Sequence, residues 1–314
     1  MPRHTAVLTF LMFGATILGL VGLWRTLSPL LPQAPQSASQ TSGQAGTSAS
    51  EGQSASSEAS ATRSGTSKPE ASKTETSSVW GTDADPRNED FAVSPDKTDW
   101  NYESNGEKVV YLTFDDGPSD NTSEVLDILD QYDCKATFFV VGLEPDYYDM
   151  ISEAYKRGHT IGMHTYSHDY ATVYASTTAY YEDLDAIARV VKQQIGYVPC
   201  FIRFPGGSSN TISASYTSGI MTTLAQEVQE QGYQYYDWNV SCGDGAEHTA
   251  DELVDYATSE GEGVDNIILL LHDSTAKDTT VEALPRIIEH YQEQGYAFKA
   301  IDRSTMVPHH GIGN

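Results

Sequence analysis

Between residues 109 and 301 short apolar runs alternate with longer amphipathic segments, and this alternation restricts the chain more than any other feature it has. The apolar runs fall at 109–114, 136–141, 159–163, 200–204, 234–238, 266–271 and 297–301. Helical spacing fills the gaps at 123–132, 145–157, 178–195, 221–231, 250–260 and 280–294. Such an order predicts a parallel sheet covered by helices. Four of the helical segments stop at a glycine, Gly158, Gly196, Gly232 or Gly295, each leading into the next apolar run. Seven such units suggest an α/β barrel that is incomplete or distorted. An open doubly wound sheet would carry the same signature, so the motifs must choose between them.

The rest of the chain is unlike this region. Residues 6–24 form an uncharged apolar run flanked by Arg3, His4 and Arg25, long enough to span a bilayer and longer than the apolar core of a cleaved signal peptide. We expect a signal anchor over 1–27, single-pass, with the remainder outside the cytoplasm; cleavage would release the protein instead. Residues 32–78 are Ser, Thr, Ala, Gly and Gln with scattered charge, too polar to bury a core, so 28–79 is expected to be a flexible linker. A lead-in segment at 80–105, a catalytic domain at 106–307 and a tail at 308–314 complete the expected organisation.

A formal charge of −26, from 44 acidic and 18 basic residues, argues against nucleic acid or an anionic surface as partner and is compatible with a neutral glycan. Three cysteines, Cys134, Cys200 and Cys242, exclude a disulfide scaffold, because one at least must stay unpaired within the chain. Cys242 is expected near the top of the fold and the other two at its foot.

Chemistry-bearing residues gather where the apolar runs end. Asp115 and Asp116 close the first run ahead of Gly117 and Pro118, and of two such carboxylates one can hold a cation while the other takes a proton. His164 and His168 follow the third run, spaced by four as on one face of a helical turn, and with Asp116 they complete a His-His-Asp set. Three ligands leave a metal open to water and substrate, the mark of a hydrolytic site; zinc suits the set best, with cobalt or manganese possible. The fourth run ends on Arg203 and Phe204, ahead of Pro205, Gly206 and Gly207, a permanent cation beside a turn whose free N–H groups can hold an oxyanion. The sixth run delivers His272, suited to act as a general acid near neutral pH, and Asp273.

These blocks, Thr-Phe-Asp-Asp-Gly-Pro at 113–118 and His-Thr-Tyr-Ser-His at 164–168 above all, resemble the NodB-type polysaccharide deacetylases of carbohydrate esterase family 4 over about residues 106–307. The resemblance implies a distorted TIM-like (β/α)7 barrel. It implies Asp115 as catalytic base, Asp116, His164 and His168 as metal ligands, His272 as general acid, and Arg203 as the residue that holds the base and lowers its pKa. The Gly206 N–H corresponds to the oxyanion donor, although many relatives carry Tyr there, and Pro205, Trp238 and Leu270 fall at substrate-contacting positions. The fourth block departs furthest, reading Ser241-Cys242-Gly243-Asp244-Gly245 where relatives often have Asp-x-x-Asp-Trp. Asp244 aligns with the carboxylate that orients His272, and Asp237 competes for that role.

The activity implied is hydrolysis of N-acetyl groups from a polysaccharide, with peptidoglycan N-acetylglucosamine the expected substrate and chitin, xylan or exopolysaccharide as alternatives. The altered fourth block leaves open a catalytically impaired glycan-binding module of the same fold. The expected partners are a cell-wall polysaccharide and, through the N-terminal helix, a membrane, with no nucleic acid and a monomeric chain.

Overall fold

The computed structural model describes residues 87–98, 100, 102 and 106–314. The expected membrane helix and linker lie outside the described residues. Among the described residues no helix is long and apolar enough to cross a membrane.

Eight strands form one parallel sheet: β1 (Val109–Asp115), β2 (Ala136–Val140), β3 (Thr160–Met163), β4 (Phe201–Ile202), β5 (Gln234–Tyr235), β6 (Val240–Ser241), β7 (Asn266–His272) and β8 (Ala297–Phe298). Their order is β5-β4-β3-β2-β1-β7-β6, with β8 against the start of β1. The expected incomplete or distorted barrel of seven units is corrected in its strand count. There is an eighth strand, β6, whose two residues are too few to carry a readable period. The incompleteness takes the form of an open half-barrel, since no pairing joins β5 to β6 among the described residues.

Every residue of β1 is buried because the strand is covered on both faces. Val110, Leu112 and Phe114 pack outward under the helices, whereas Val109 and Tyr111 turn inward with Phe139, Phe201, Tyr236, Ile268 and Ile301. Burying each such large side chain contributes roughly 1.5–3 kcal/mol. The same two-residue alternation sends Thr113 and Asp115 inward. Because β1 and β7 pair residue for residue from Val109 opposite Asn266, Asp115 stands directly opposite His272 at the upper rim.

The helices are α1 (Arg87–Phe91), α2 (Asp120–Gln131), α3 (Asp149–Lys156), α4 (Tyr170–Val173), α5 (Thr177–Ile195), α6 (Ile220–Glu230), α7 (Ala250–Glu260) and α8 (Asp278–Glu293). Polar caps set their starts: Ser119 accepts from the Asn121 N–H at the head of α2, and Ser176 from Ala179 at the head of α5. Gly196 ends α5 at φ 92°, a left-handed conformation that a side chain disfavours. The helix expected over 145–157 divides instead into a 3-10 turn, Pro145–Tyr147, and α3. The short helices α1 and α4 have no counterpart among the expected elements.

The packed unit reaches beyond the expected limits of 106 and 307. At its N-terminal side the Phe91 ring meets Phe201 edge-on at 5.1 Å, and the Val93 N–H donates to Val198 O at 2.9 Å. At its C-terminal side the tail closes over the seam beside β5. Pro308 O accepts from the Asp237 N–H at 3.1 Å, and the His309 ring stacks on Tyr235 at 3.8 Å between centroids.

Candidate active site

Asp116, His164 and His168 offer one ligand atom each, all within 4.8 Å of one another. Asp116 Oδ1 lies 3.7 Å from His164 Nε2 and 3.4 Å from His168 Nε2, and it is buried without a hydrogen-bond partner. His164 Nδ1 sits 2.8 Å from the Arg203 carbonyl, which can only accept, so Nδ1 carries the proton and Nε2 presents its lone pair to Asp116. Burial pushes His164 down to about 3, so the ring is neutral at physiological pH. The His164 lone pair and a carboxylate oxygen without a donor face one another, and with His168 Nε2 beside them a divalent cation is the group that such a set fits.

The spacing of the two histidines works through a loop and not, as expected, through a helical turn. Thr165 and His168 take positive φ values of 73° and 49°, and Asp116 takes 71°. Three of the four such non-glycine residues among those described therefore sit in this cluster, where surrounding contacts hold the strained backbone. Asp183, reaching up from α5, supplies one of those contacts by accepting from the N–H groups of Tyr166 and Ser167. Its position on the buried face of a long helix gives no hint of this role in the sequence.

Asp115 is buried next to the cluster, with Oδ2 at 3.7 Å from His164 Nε2. Its Oδ1 accepts from Arg203 Nη1 at 2.8 Å. Arg203 is fully buried and donates as well to Thr113 Oγ1 at 2.8 Å, Tyr236 O at 2.9 Å and Asp237 O at 3.1 Å. Its guanidinium lies 4.3 Å from the Phe139 ring centroid. Burial raises the Asp115 carboxyl above the usual carboxylate range, and Arg203 pulls against that rise without cancelling it.

Across the rim, His272 Nδ1 is 2.8 Å from Asp244 Oδ1, and Asp244 Oδ2 accepts from the His272 N–H and from Thr280 Oγ1, each at 2.8 Å. Burial pushes His272 down, but the bond and charge of Asp244 outweigh it, with Asp115 and Asp116 adding to the rise, and leave the imidazole at about 9. Asp237, the competing candidate, points elsewhere. Its carboxylate accepts from the Ser208 N–H and from the His310 N–H, each at 2.8 Å. Cys242 is buried, and burial with Asp244 close by raises its thiol, so it is no ready ligand; all three cysteines are free.

The Gly206 N–H makes no hydrogen bond to the described residues, and Gly206 is exposed with φ 75°. Pro205 O beside it is held by Tyr174 Oη at 2.7 Å. Leu270 pairs with Thr113 and is almost fully buried, two residues before His272 on the same inward face. Trp238 lies off this path: it meets His310 edge-on at 4.8 Å and lies close to Gly207.

Asp273, to which the sequence assigns no role, braces the turn at 115–119 from below. Thr122 Oγ1 donates to its Oδ2 at 2.6 Å, its N–H donates to Asp115 O at 3.1 Å, and its carbonyl accepts from Ser119 Oγ at 2.6 Å. A Cβ on Gly117 would overlap Asp273 Oδ1, so the close approach requires glycine. Burial, with the nearby charges of Asp116 and Asp115, lifts Asp273 to about 7.

A family model described as polysaccharide deacetylase matches residues 102–235. The chain is 31% identical over 215 residues to the putative polysaccharide deacetylase YheN of Bacillus subtilis, covering 65% of this chain and 71% of that protein. It is 31% identical over 212 residues to a peptidoglycan-N-acetylglucosamine deacetylase of Bacillus cereus, covering 64% and 72% of the two chains. Its fold matches the crystal structure of the catalytic domain of a peptidoglycan N-acetylglucosamine deacetylase from Eubacterium rectale with a TM-score of 0.66 and 42% identity, over 68% of this chain and 97% of that one.

Proposed function

The chain belongs to the polysaccharide deacetylase family, and on that premise we propose that it removes N-acetyl groups from peptidoglycan N-acetylglucosamine in a metal-dependent hydrolysis. The observation that carries this reading is the meeting, at one rim, of the Asp116–His164–His168 cluster with Asp115 and His272 on opposed strands. Two relatives named for peptidoglycan N-acetylglucosamine support the substrate. The apolar run at 6–24 and the polar linker support an extracytoplasmic, membrane-tethered site of action.

Asp116 Oδ1, His164 Nε2 and His168 Nε2 would hold a divalent cation, zinc by preference, which when bound polarises the amide carbonyl and lowers the pKa of water. Asp115 takes the proton from the attacking water as the water oxygen adds to the carbonyl carbon. Arg203 keeps that carboxylate ionised and aimed. The Gly206 N–H donates to the oxygen that becomes negative. His272, held through Nδ1 by Asp244, protonates the departing nitrogen from Nε2 as the C–N bond breaks, leaving acetate and a free amine. Leu270 lines the space for the acetyl methyl, while Pro205 shapes the neighbouring wall. The bond between Asp244 and His272 favours catalysis over a glycan-binding module that has lost turnover, because the carboxylate the acid needs is in place despite the altered fourth block.

The test is acetate release by the zinc-loaded protein from peptidoglycan and from N-acetylated chito-oligomers. Asp115→Asn should lower kcat by about 10²–10⁴-fold. Release from chitin or xylan substrates but not from peptidoglycan would reassign the polymer, and no release from any substrate would sink the enzymatic reading.

A further inference from the structure

Tyr170 stands at the active-site rim without a part in the chemistry above. It opens α4 two residues after His168, and its half-buried ring meets His168 edge-on at 5.9 Å and Tyr174 at 5.5 Å between centroids. The ring is thereby fixed on two sides. The hydroxyl of Tyr174 is spent on Pro205 O, but that of Tyr170 makes no hydrogen bond to the described residues.

Its place is shared with Gly206. A Cβ on Gly206 would overlap Tyr170 Oη, so the phenol occupies the volume that a side chain at position 206 would need. Two residues with a polar group that has no partner among the described residues, Gly206 with its N–H and Tyr170 with its O–H, are thus neighbours, and the Tyr170 ring lies against His168 of the metal-ligand cluster. A half-buried hydroxyl in such a setting gains when a ligand oxygen replaces loosely held water.

We propose that the Tyr170 hydroxyl is a sugar-binding group, hydrogen-bonded to an oxygen that flanks the acetamide of the bound glycan unit, and so a specificity-determining residue of this chain. The proposal rests on the deacetylase reading for the identity of the ligand. Direct binding keeps the two separable.

The experiment measures, by calorimetry, the binding of an N-acetylated chito-oligomer to zinc-loaded Asp115→Asn protein, with and without Tyr170→Phe. Loss of one uncharged hydrogen bond should weaken glycan binding roughly threefold to tenfold. The melting temperature and the zinc dissociation constant should stay unchanged, which a merely structural role would not allow. Glycan affinity held within about twofold, a loss matched by equal loss of zinc affinity, or no glycan binding by the parent would each overturn the proposal. Glycan binding by the unsubstituted protein without acetate release would instead overturn the deacetylase reading, with Tyr170 still decided by the binding difference.

Discussion

The two sides of the sheet hold the candidate catalytic groups by different means. On the β1–β7 side, seven consecutive residues pair in register, and main-chain bonding alone brings Asp115 opposite His272. On the β4–β5 side the strands are two residues long, and the segments beyond them are held largely by side-chain contacts: Arg203 to Tyr236 O and Asp237 O, both Asp237 carboxylate oxygens to Ser208, and the His310 N–H to Asp237. A ladder tolerates the loss of any one side chain because its bonds belong to the backbone. Contacts that run through one side chain are lost with it, and the open side should be the more vulnerable to substitution.

Arg203→Met should break the contrast most sharply. It removes the buried cation that joins the two sides and leaves the Asp115 carboxyl without compensation, at a cost of about 3–5 kcal/mol. A urea midpoint equal to that of the unsubstituted protein would refute this. Adding Asp115→Asn should restore part of the stability while activity stays lost.

Asp244→Asn acts on the regular side and should leave folding largely intact. His272 at about 9 is protonated below that pH and loses its proton as pH rises through it, so kcat/KM should fall on the alkaline side near that value. Without Asp244 the imidazole loses the influence that raises it, and the alkaline limb should move to lower pH. A pH–rate profile with an unmoved alkaline limb would detach Asp244 from the acid.

Ending the chain after Val307 should have the smallest effect on activity. The His309 stack and the His310 bond to Asp237 are worth together about 1–3 kcal/mol, and a domain of this size loses about 2–4 °C of Tm per kcal/mol. Turnover should change little. A loss of activity rivalling that of Arg203→Met would make the tail part of the site.

Much of this architecture is legible in the sequence. The seven longer apolar runs are strands in the fold, and Asp115, Asp116, His164, His168, Arg203 and His272 lie at or just past strand ends because strand-end chemistry is written in local order. Asp237 and Asp244 are not separable that way, since one falls near the end of an apolar run and the other follows a few residues past the same run. What parts them is that the Asp237 N–H pairs with Pro308, far along the chain, while Asp244 meets Thr280. Asp183 and Tyr170 are silent in the sequence because a polar residue on a helix says nothing about the loop it will meet.

The sequence by itself determined the parallel α/β plan and picked out the candidate residues whose chemistry suits binding a cation and moving protons. Periodicity and residue chemistry are local properties, carried within a few positions of each side chain. Only the tertiary structure decided that the sheet stays open between β5 and β6, that the tail covers the seam, that Asp244 and not Asp237 bonds His272, and that Tyr170 takes the room left by Gly206. Each of these depends on contacts between segments far apart in the chain, whose approach is set by packing and not by any local pattern.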